Sequence, residues 1–431
     1  MTSKPEAEAS TSCLQTRACG ACDAPPAHAV PWWVRWSRWR QQSPTEGEAW
    51  EAQLLKTSTK TPLEAINVPV GPGPQDFIHT VHGGKEDGPT MVMAPGYAAG
   101  LGFYFRNFDA LAPHFRLYAF DWLGTGNSGR PAFNVTGREA AEDFFLSSLR
   151  RWKQTMGIGK MVLVGHSLGG YLSACYALKY PEDVEHLILV CPAGVPEVPD
   201  GWADRFTSMG ATTKALFKTL MWAWERGVTP GGVVRTIGPF GPGLIEGYVT
   251  KRLVRPSSPT GGAMSPEEAS VFHKYMYQIT AAPGSGEFAL RHLLAPGAWA
   301  HAPLEKRLHE LKVPVTFVYG ETDWMNPGHA VNVCRQLRAE RAPRNKSDLR
   351  TEIIDEAGHF VMLEQPHLFN RAVVDACASV LGAASAKAAA ASMPAKETAH
   401  SVEMSRWSIP IAAEAPLSSG GTAGQKAATK A

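Results

Sequence analysis

The chain has 431 residues, with 42 Lys and Arg against 40 Asp and Glu, a formal net charge of +2, and 44% hydrophobic residues. This balance excludes a nucleic-acid partner held by bulk charge and an acidic disordered protein, and it supplies enough apolar side chains for a sizeable core. No apolar run reaches about 18 residues, so no ordinary transmembrane helix is expected. Glu6 and Glu8, with no apolar stretch beside them, argue against a secretory signal. The cysteines, Cys13, Cys19, Cys22, Cys175, Cys191, Cys334 and Cys377, are scattered and odd in number, which fits a reducing compartment. Cys19 and Cys22 have C-x-x-C spacing but no second pair nearby, so no metal site is expected.

Residues 1–30 are rich in Ala, Ser, Thr and Pro without periodicity and read as a disordered tail. Their Ser and Thr leave a chloroplast or mitochondrial address open. The segment 31–67 opens with Pro31-Trp32-Trp33-Val34-Arg35-Trp36-Ser37-Arg38-Trp39-Arg40. On a helix Trp32, Trp36 and Trp39 fall within about 60° of one another. Indole prefers the membrane–water boundary and Arg reaches phosphate headgroups. Trp32, Trp33, Trp36 and Trp39 are therefore taken as a membrane or lipid-droplet interface; packing onto the following domain is the competing reading.

From 68 to 195, short apolar segments alternate with helical ones. Strands are predicted at Thr90–Ala94, 115–121, 161–165 and 184–191, and helices at 140–156 and 168–180. Such alternation indicates an α/β fold, a mostly parallel sheet covered by helices on both faces. The alternation stops over 196–300, where Gly and Pro are frequent and no strand signal stands out, so an inserted helical cap is expected. Leu216, Phe217, Leu220, Met221 and Trp224 recur there at helical spacing, either to pack on the core or to form a lipid-facing lid or acyl-chain tunnel. The core resumes over 301–382 with strands at Val315–Gly320 and Leu349–Ile354. Residues 383–431 read as a disordered, Ala-rich tail, whose Ala run has nothing to bury.

The sharpest motif is Gly165-His166-Ser167-Leu168-Gly169, between a predicted strand and a predicted helix. That context defines a nucleophile elbow: the turn forces strained backbone angles on Ser167, and only Gly fits at 165 and 169. A serine hydroxyl needs a base. An acid is expected past the strand Val315–Gly320, where Asp323 is preferred to Glu321, and a histidine past the last strand, where His359 follows Gly358. In this scheme His359 takes the Ser167 proton and Asp323 orients the imidazole. Tyr97 and Leu168 are the expected backbone donors of an oxyanion hole. The Gly-rich loop 121–128 completes no G-x-G-x-x-G and reads as scaffold. No metal and no cofactor are required.

These stretches resemble a known group. GYAAGLGFYFRNFDAL (96–111), FDWLGTGNSGRP (120–131), VGHSLGGYLSACYALKYPEDVEHLILVCPAG (164–194), GPFGPGL (238–244), GEFALRHL (286–293), VYGETDWMN (318–326) and GHFVMLEQP (358–366), with the Trp-rich segment, are similar to the lipid-metabolising α/β-hydrolases typified by alpha/beta-hydrolase domain-containing proteins four and five and their plant counterparts. The resemblance spans about residues 31–380. It implies an α/β-hydrolase fold and lipid esters as substrates at lipid droplets or membranes, peripheral and cytoplasmic. It also implies one of three activities: phospholipase or lysophospholipase; acylation of lysophosphatidic acid to phosphatidic acid; or co-activation of a separate triacylglycerol lipase as partner. Ser167 favours a working hydrolase, because the best-known co-activator has Asn there. The acyltransferase assignment in the group rests on an H-x4-D pattern, which here becomes His359 and Glu364. On one continuous helix these two would lie about 140° apart, so Glu364 is expected to be structural rather than an acyltransferase partner. Many relatives have His where Pro95 stands, which removes a side-chain brace from the oxyanion loop. Arg106, Arg252 and Arg291 are open candidates for a substrate phosphate.

Overall fold

A computed structural model of the chain describes residues 44–202, 210–254, 264–340 and 349–393. It opens with helix α1 (Pro44–Ser58), then β1 (Leu63–Pro69), β2 (Phe77–Gly84), β3 (Thr90–Ala94) and β4 (Arg116–Phe120). α2 (Arg138–Thr155), β5 (Met161–His166), α3 (Leu168–Lys179) and β6 (Val184–Val190) continue the alternation. Four helices then interrupt it: α4 (Ala211–Glu225), α5 (Pro230–Thr236), α6 (Gly241–Val249) and α7 (Pro266–Ala281). β7 (Val315–Gly320), α8 (Gly328–Glu340), β8 (Leu349–Ile354) and α9 (Pro366–Ala376) complete the core, and α10 (Ala383–Ser392) follows.

The sheet runs β1-β2-β4-β3-β5-β6-β7-β8. β2 pairs antiparallel with β1 and β4, and every other pairing is parallel. All six residues of β5 and of β7 are buried, as helices on both faces require. In the edge strand β1 only Val68 is buried, and Glu64, Ala65, Asn67 and Pro69 are exposed. The chain leaves β3 toward β4 and returns to pair β5 against β3. Strand order reverses there, which opens a crevice at the carboxyl ends of these parallel strands. Ser167 stands at that end of β5.

Two expectations about the ends of the fold need correction. The boundary expected between 67 and 68 cuts through β1, and α1 belongs to the core: its Leu54 and Leu55 are buried, and its buried Glu51 meets His79 of β2 at 2.7 Å. The Ala-rich run expected to be disordered begins as α10, with Ala386 and Ala389 buried against α9 and its neighbouring turn. Alanine has no side-chain entropy to lose in a helix, and its small size permits close backbone approach. Trp32, Trp33, Trp36 and Trp39, Cys13, Cys19 and Cys22, and the tails 1–30 and 394–431 lie outside the described residues. Among the described residues no helix is long and apolar enough to cross a membrane.

Candidate active site

β5 delivers the elbow directly. Ser167 adopts φ 54°, ψ −119°, a left-handed conformation for a residue with a side chain, at a cost of about 1–3 kcal/mol that the surroundings must offset. They do so with backbone bonds: the Ser167 amide donates to the Val190 carbonyl at 2.9 Å, and its carbonyl accepts from the amides of Tyr171 and Ala193. Glycine is obligatory on both sides. A Cβ on Gly165 would meet Ser173 Oγ at 2.5 Å, and one on Gly169 would run into the carbonyls of Ala94 and Pro95.

Three strand ends then converge. His359, after β8, places Nε2 3.1 Å from Ser167 Oγ, and its Nδ1 lies 3.1 Å from Asp323 Oδ1, after β7. The Asp323 side chain is fully buried, and the same oxygen accepts the Met325 amide at 3.2 Å. Its other oxygen, Oδ2, has no hydrogen-bond partner among the described residues. Glu321 points elsewhere, accepting the Glu356 amide at 3.3 Å. The acid and base loops are tied together by the Thr322 amide and hydroxyl, both donating to the Ala357 carbonyl.

Two further side chains hold the base loop. The Gly358 amide donates to Glu364 Oε2 at 2.6 Å and the Phe360 amide to Oε1 at 3.2 Å. The carbonyl of His359 itself accepts from His166 Nε2 at 2.9 Å. Because a carbonyl can only accept, His166 carries its proton on Nε2. Burial, aided by the neighbouring His359, pushes His166 well below the usual histidine range, so it stays neutral. Glu364 thus occupies both carboxylate oxygens with the amides that flank His359. The sequence named His166 only as part of the elbow and gave no sign of this second role.

Cys191 was not anticipated either. It follows β6 in a left-handed conformation (φ 44°), and its Sγ, an Asp323 oxygen and a His359 ring nitrogen lie within 4.8 Å of one another. Burial, and then the charge of Asp323, pushes this thiol well above its ordinary value. It is a protonated, neutral neighbour of the buried carboxylate.

The loop after β3 closes over the serine. A Cβ on Gly96 would stand 2.9 Å from Ser167 Cβ, so only Gly allows the approach. The amides of Tyr97 and Leu168 have no acceptor among the described residues. The brace that Pro95 lacks as a side chain comes from elsewhere: Trp122 donates its indole N–H to the Pro95 carbonyl at 3.0 Å. Asp121 adds a second anchor, accepting the amides of Leu101 and Asn127 at 2.7 Å each. The Gly-rich loop 121–128 is therefore a clamp on the loop beside the serine. Of the three arginines, Arg106 is paired with Glu268 at 2.6 Å and donates to the Leu363 carbonyl, and Arg291 donates to the Glu225 carbonyl. Arg252 stands beside the base loop, its Nη2 3.1 Å from where a Gly358 Cβ would lie.

Comparison with known proteins bears on the family and the fold. The alpha/beta hydrolase fold family matches over residues 89–232. A 1-acylglycerol-3-phosphate O-acyltransferase of Arabidopsis thaliana is 39% identical over 366 residues, covering 80% of this chain and 84% of that protein. The chain belongs to the α/β-hydrolase family. A human (lyso)-N-acylphosphatidylethanolamine lipase is 36% identical over 303 residues, covering 70% of this α/β hydrolase and 82% of the lipase. Among solved structures, carboxylesterase CesB from Bacillus subtilis aligns with a TM-score of 0.53 at 20% identity, over 79% of this chain and 98% of CesB, which bears on the fold alone.

Proposed function

We propose that this α/β hydrolase is a serine-dependent lipid acyl hydrolase of the phospholipase, lysophospholipase or acylglycerol lipase type. The observation that carries the proposal is the unbroken hydrogen-bond sequence from Ser167 Oγ through His359 to Asp323 at a strained elbow. His359 Nε2 takes the hydroxyl proton as Ser167 Oγ attacks the ester carbonyl. Asp323 holds the imidazole tautomer and stabilises the imidazolium. The oxyanion that forms is met by the open amides of Tyr97 and Leu168, each worth about 2.7–4 kcal/mol in the transition state. The tetrahedral adduct expels the alcohol, which takes the proton from His359, leaving an acyl-serine. Water, deprotonated by the same imidazole, releases the fatty acid and restores Ser167.

A second acceptor gives a second activity. A lysophosphatidic acid hydroxyl in place of water would yield phosphatidic acid from the same acyl-enzyme. The name of the Arabidopsis relative favours keeping this reading. Arg252, beside the base loop, suits an anionic headgroup.

The workplace we propose is a membrane or lipid-droplet surface. None of the fifteen residues of α4 is buried, although Leu216 is 70% exposed, and Phe240, before α6, is 72% exposed. Six basic residues against two acidic ones over 210–254 suit anionic lipid. Trp32, Trp33, Trp36 and Trp39 remain the sequence's candidates for the same surface.

The test is lipid-mixture profiling with the purified protein and Ser167→Ala, with and without acyl-CoA, alongside fluorophosphonate labelling. Ser167→Ala should lose fatty-acid release and labelling while keeping its circular dichroism spectrum. Undiminished lipid turnover by Ser167→Ala would overturn the proposal in favour of a non-enzymatic lipase co-activator.

A further inference from the structure

Next to the loop that carries Asp323 lies an apolar cavity of about 270 Å³. Its walls include Pro192, Gly194, Trp202, Trp299, Trp324 and Met325. It borders the proposed catalytic residues on two sides. Pro192 and Gly194 flank Ala193, whose amide donates to the carbonyl of Ser167 at 3.0 Å. Trp324 follows Asp323 directly, and its ring centroid stands 5.6 Å from that of His359. Trp324 is nevertheless 59% exposed, an indole left uncovered next to the reacting groups.

The construction of the wall favours a hydrocarbon. Trp202 meets Trp299 edge to face at 6.4 Å. Gly297 (φ 91°) admits both rings, since a Cβ there would lie 2.8 Å from Trp299 Nε1 and 3.3 Å from Trp202 Cζ2. Two polar residues of the lining are engaged: Asn326 Oδ1 accepts the Gly328 amide, and His329 Nδ1 meets Glu305 Oε2 at 3.2 Å. One buried donor, the Trp299 indole N–H, has no acceptor among the described residues and offers a single contact to an oxygen of the bound group. The volume lies just below the roughly 300–1,000 Å³ typical of drug-sized sites, which suits one chain rather than a whole diacyl lipid.

We infer that this Trp-lined cavity binds the hydrocarbon chain of the scissile acyl group, with its near end at Trp324 beside Ser167 and His359. The inference rests on the hydrolase reading above and adds the chain's position to it. Each methylene drawn into such a cavity raises kcat/KM roughly fourfold until the cavity is full.

Two measurements test it. The first is kcat/KM for p-nitrophenyl esters from four to sixteen carbons. Met325→Trp, which fills the cavity, should lower the twelve-to-four-carbon ratio by at least tenfold. Trp299→Ala, which widens it, should move the preferred length upward. The second is fluorescence of cis-parinaric acid with the Ser167→Ala protein, which binds without turnover; adding Met325→Trp should weaken binding by a similar factor. If Met325→Trp does not fold, Trp299→Ala carries both readouts. An unchanged chain-length profile with unchanged probe binding overturns the inference while leaving the hydrolase reading intact. So does displacement of the probe by glycerol 3-phosphate but not by dodecanoate, which would place a headgroup in the cavity. A parent protein that cleaves no ester of any length, yet binds the probe in a manner sensitive to Met325→Trp, would sink the hydrolase reading and with it the scissile-chain assignment, leaving a cavity that binds hydrocarbon for another purpose.

Discussion

Replacing Glu364 with Ala removes both acceptors that hold the peptide on either side of His359. Hydrogen bonds to a charged group contribute about 1.5–3 kcal/mol each, and the 2.6 Å bond from Gly358 is the stronger of the two. The freed amides can find water, because Glu364 is only half-buried. The loss should therefore appear chiefly as a misplaced imidazole, costing about 1.5–3 kcal/mol of transition-state stabilisation, or roughly 10–150-fold in kcat/KM. Glu364→Gln keeps one carbonyl acceptor and should lose about fivefold. The assay pairs hydrolysis of a soluble butyrate ester with acyl transfer from acyl-CoA to lysophosphatidic acid in one preparation. Both rates should fall together, since in the proposed mechanism His359 serves both acceptors. If transfer collapses while hydrolysis keeps its parent rate, Glu364 acts in transfer alone and its role as a brace is refuted.

A buried network behind the oxyanion loop makes stability depend on pH. Burial pulls His79 down, but the charge and hydrogen bond of Glu51 outweigh it, and the pKa rises from 6.5 to about 9. A raised histidine contributes stability that is complete below about pH 6.5 and disappears as pH climbs through about 9, up to about 3 kcal/mol here. Burial and the nearby Glu51 also raise Asp121 to about 7, so its own loss of stability falls between about pH 4 and 7, before His79 titrates. Urea unfolding at pH 6 and pH 9.5 should show that decline in the parent and a flatter profile in His79→Gln; identical slopes would exclude His79 as the source. For the surface reading, Leu216→Glu with Leu220→Glu should weaken binding to anionic vesicles while hydrolysis of a soluble butyrate ester persists. Parent-like vesicle binding by that double variant would remove α4 from the membrane contact.

The parts of the site that could be read in the sequence are those fixed by backbone geometry. Gly165 and Gly169 announce Ser167 because no other residue fits beside it, and Asp323 and His359 announce themselves by following the strands β7 and β8. β1 and α1 were missed for the opposite reason. β1 places Glu64 and Asn67 among its apolar residues, and α1 uses a core position for Glu51, so neither shows a clean apolar period. The Glu51 carboxylate is tolerated there because His79 and Asn127 take its oxygens at 2.7 and 2.9 Å. A pattern read one element at a time cannot show such partners, which come from other elements. The same limit applies to α4. Its helical period was visible, but only the structure shows that Trp224 packs on the core while Leu216 and Leu220 stay exposed.

Glu364 illustrates the limit of a spacing argument most sharply. Five residues on one unbroken helix would turn the carboxylate about 140° away from His359. The chain is not one helix there. Phe360 leaves the helical region (φ −101°, ψ 55°), a single turn spans Val361–Glu364, and a separate helix starts at Pro366. That break folds the carboxylate back under the amides of residues 358 and 360, so that the H-x4-E spacing fixes the loop that carries His359. A negative charge in the hydrogen-bonded neighbourhood of His359 is then explained by loop geometry, without assigning it a bond to the acyl acceptor. The motif's chemistry depends on where the helix breaks, and at that break Phe360 packs its ring against Phe103 and His166.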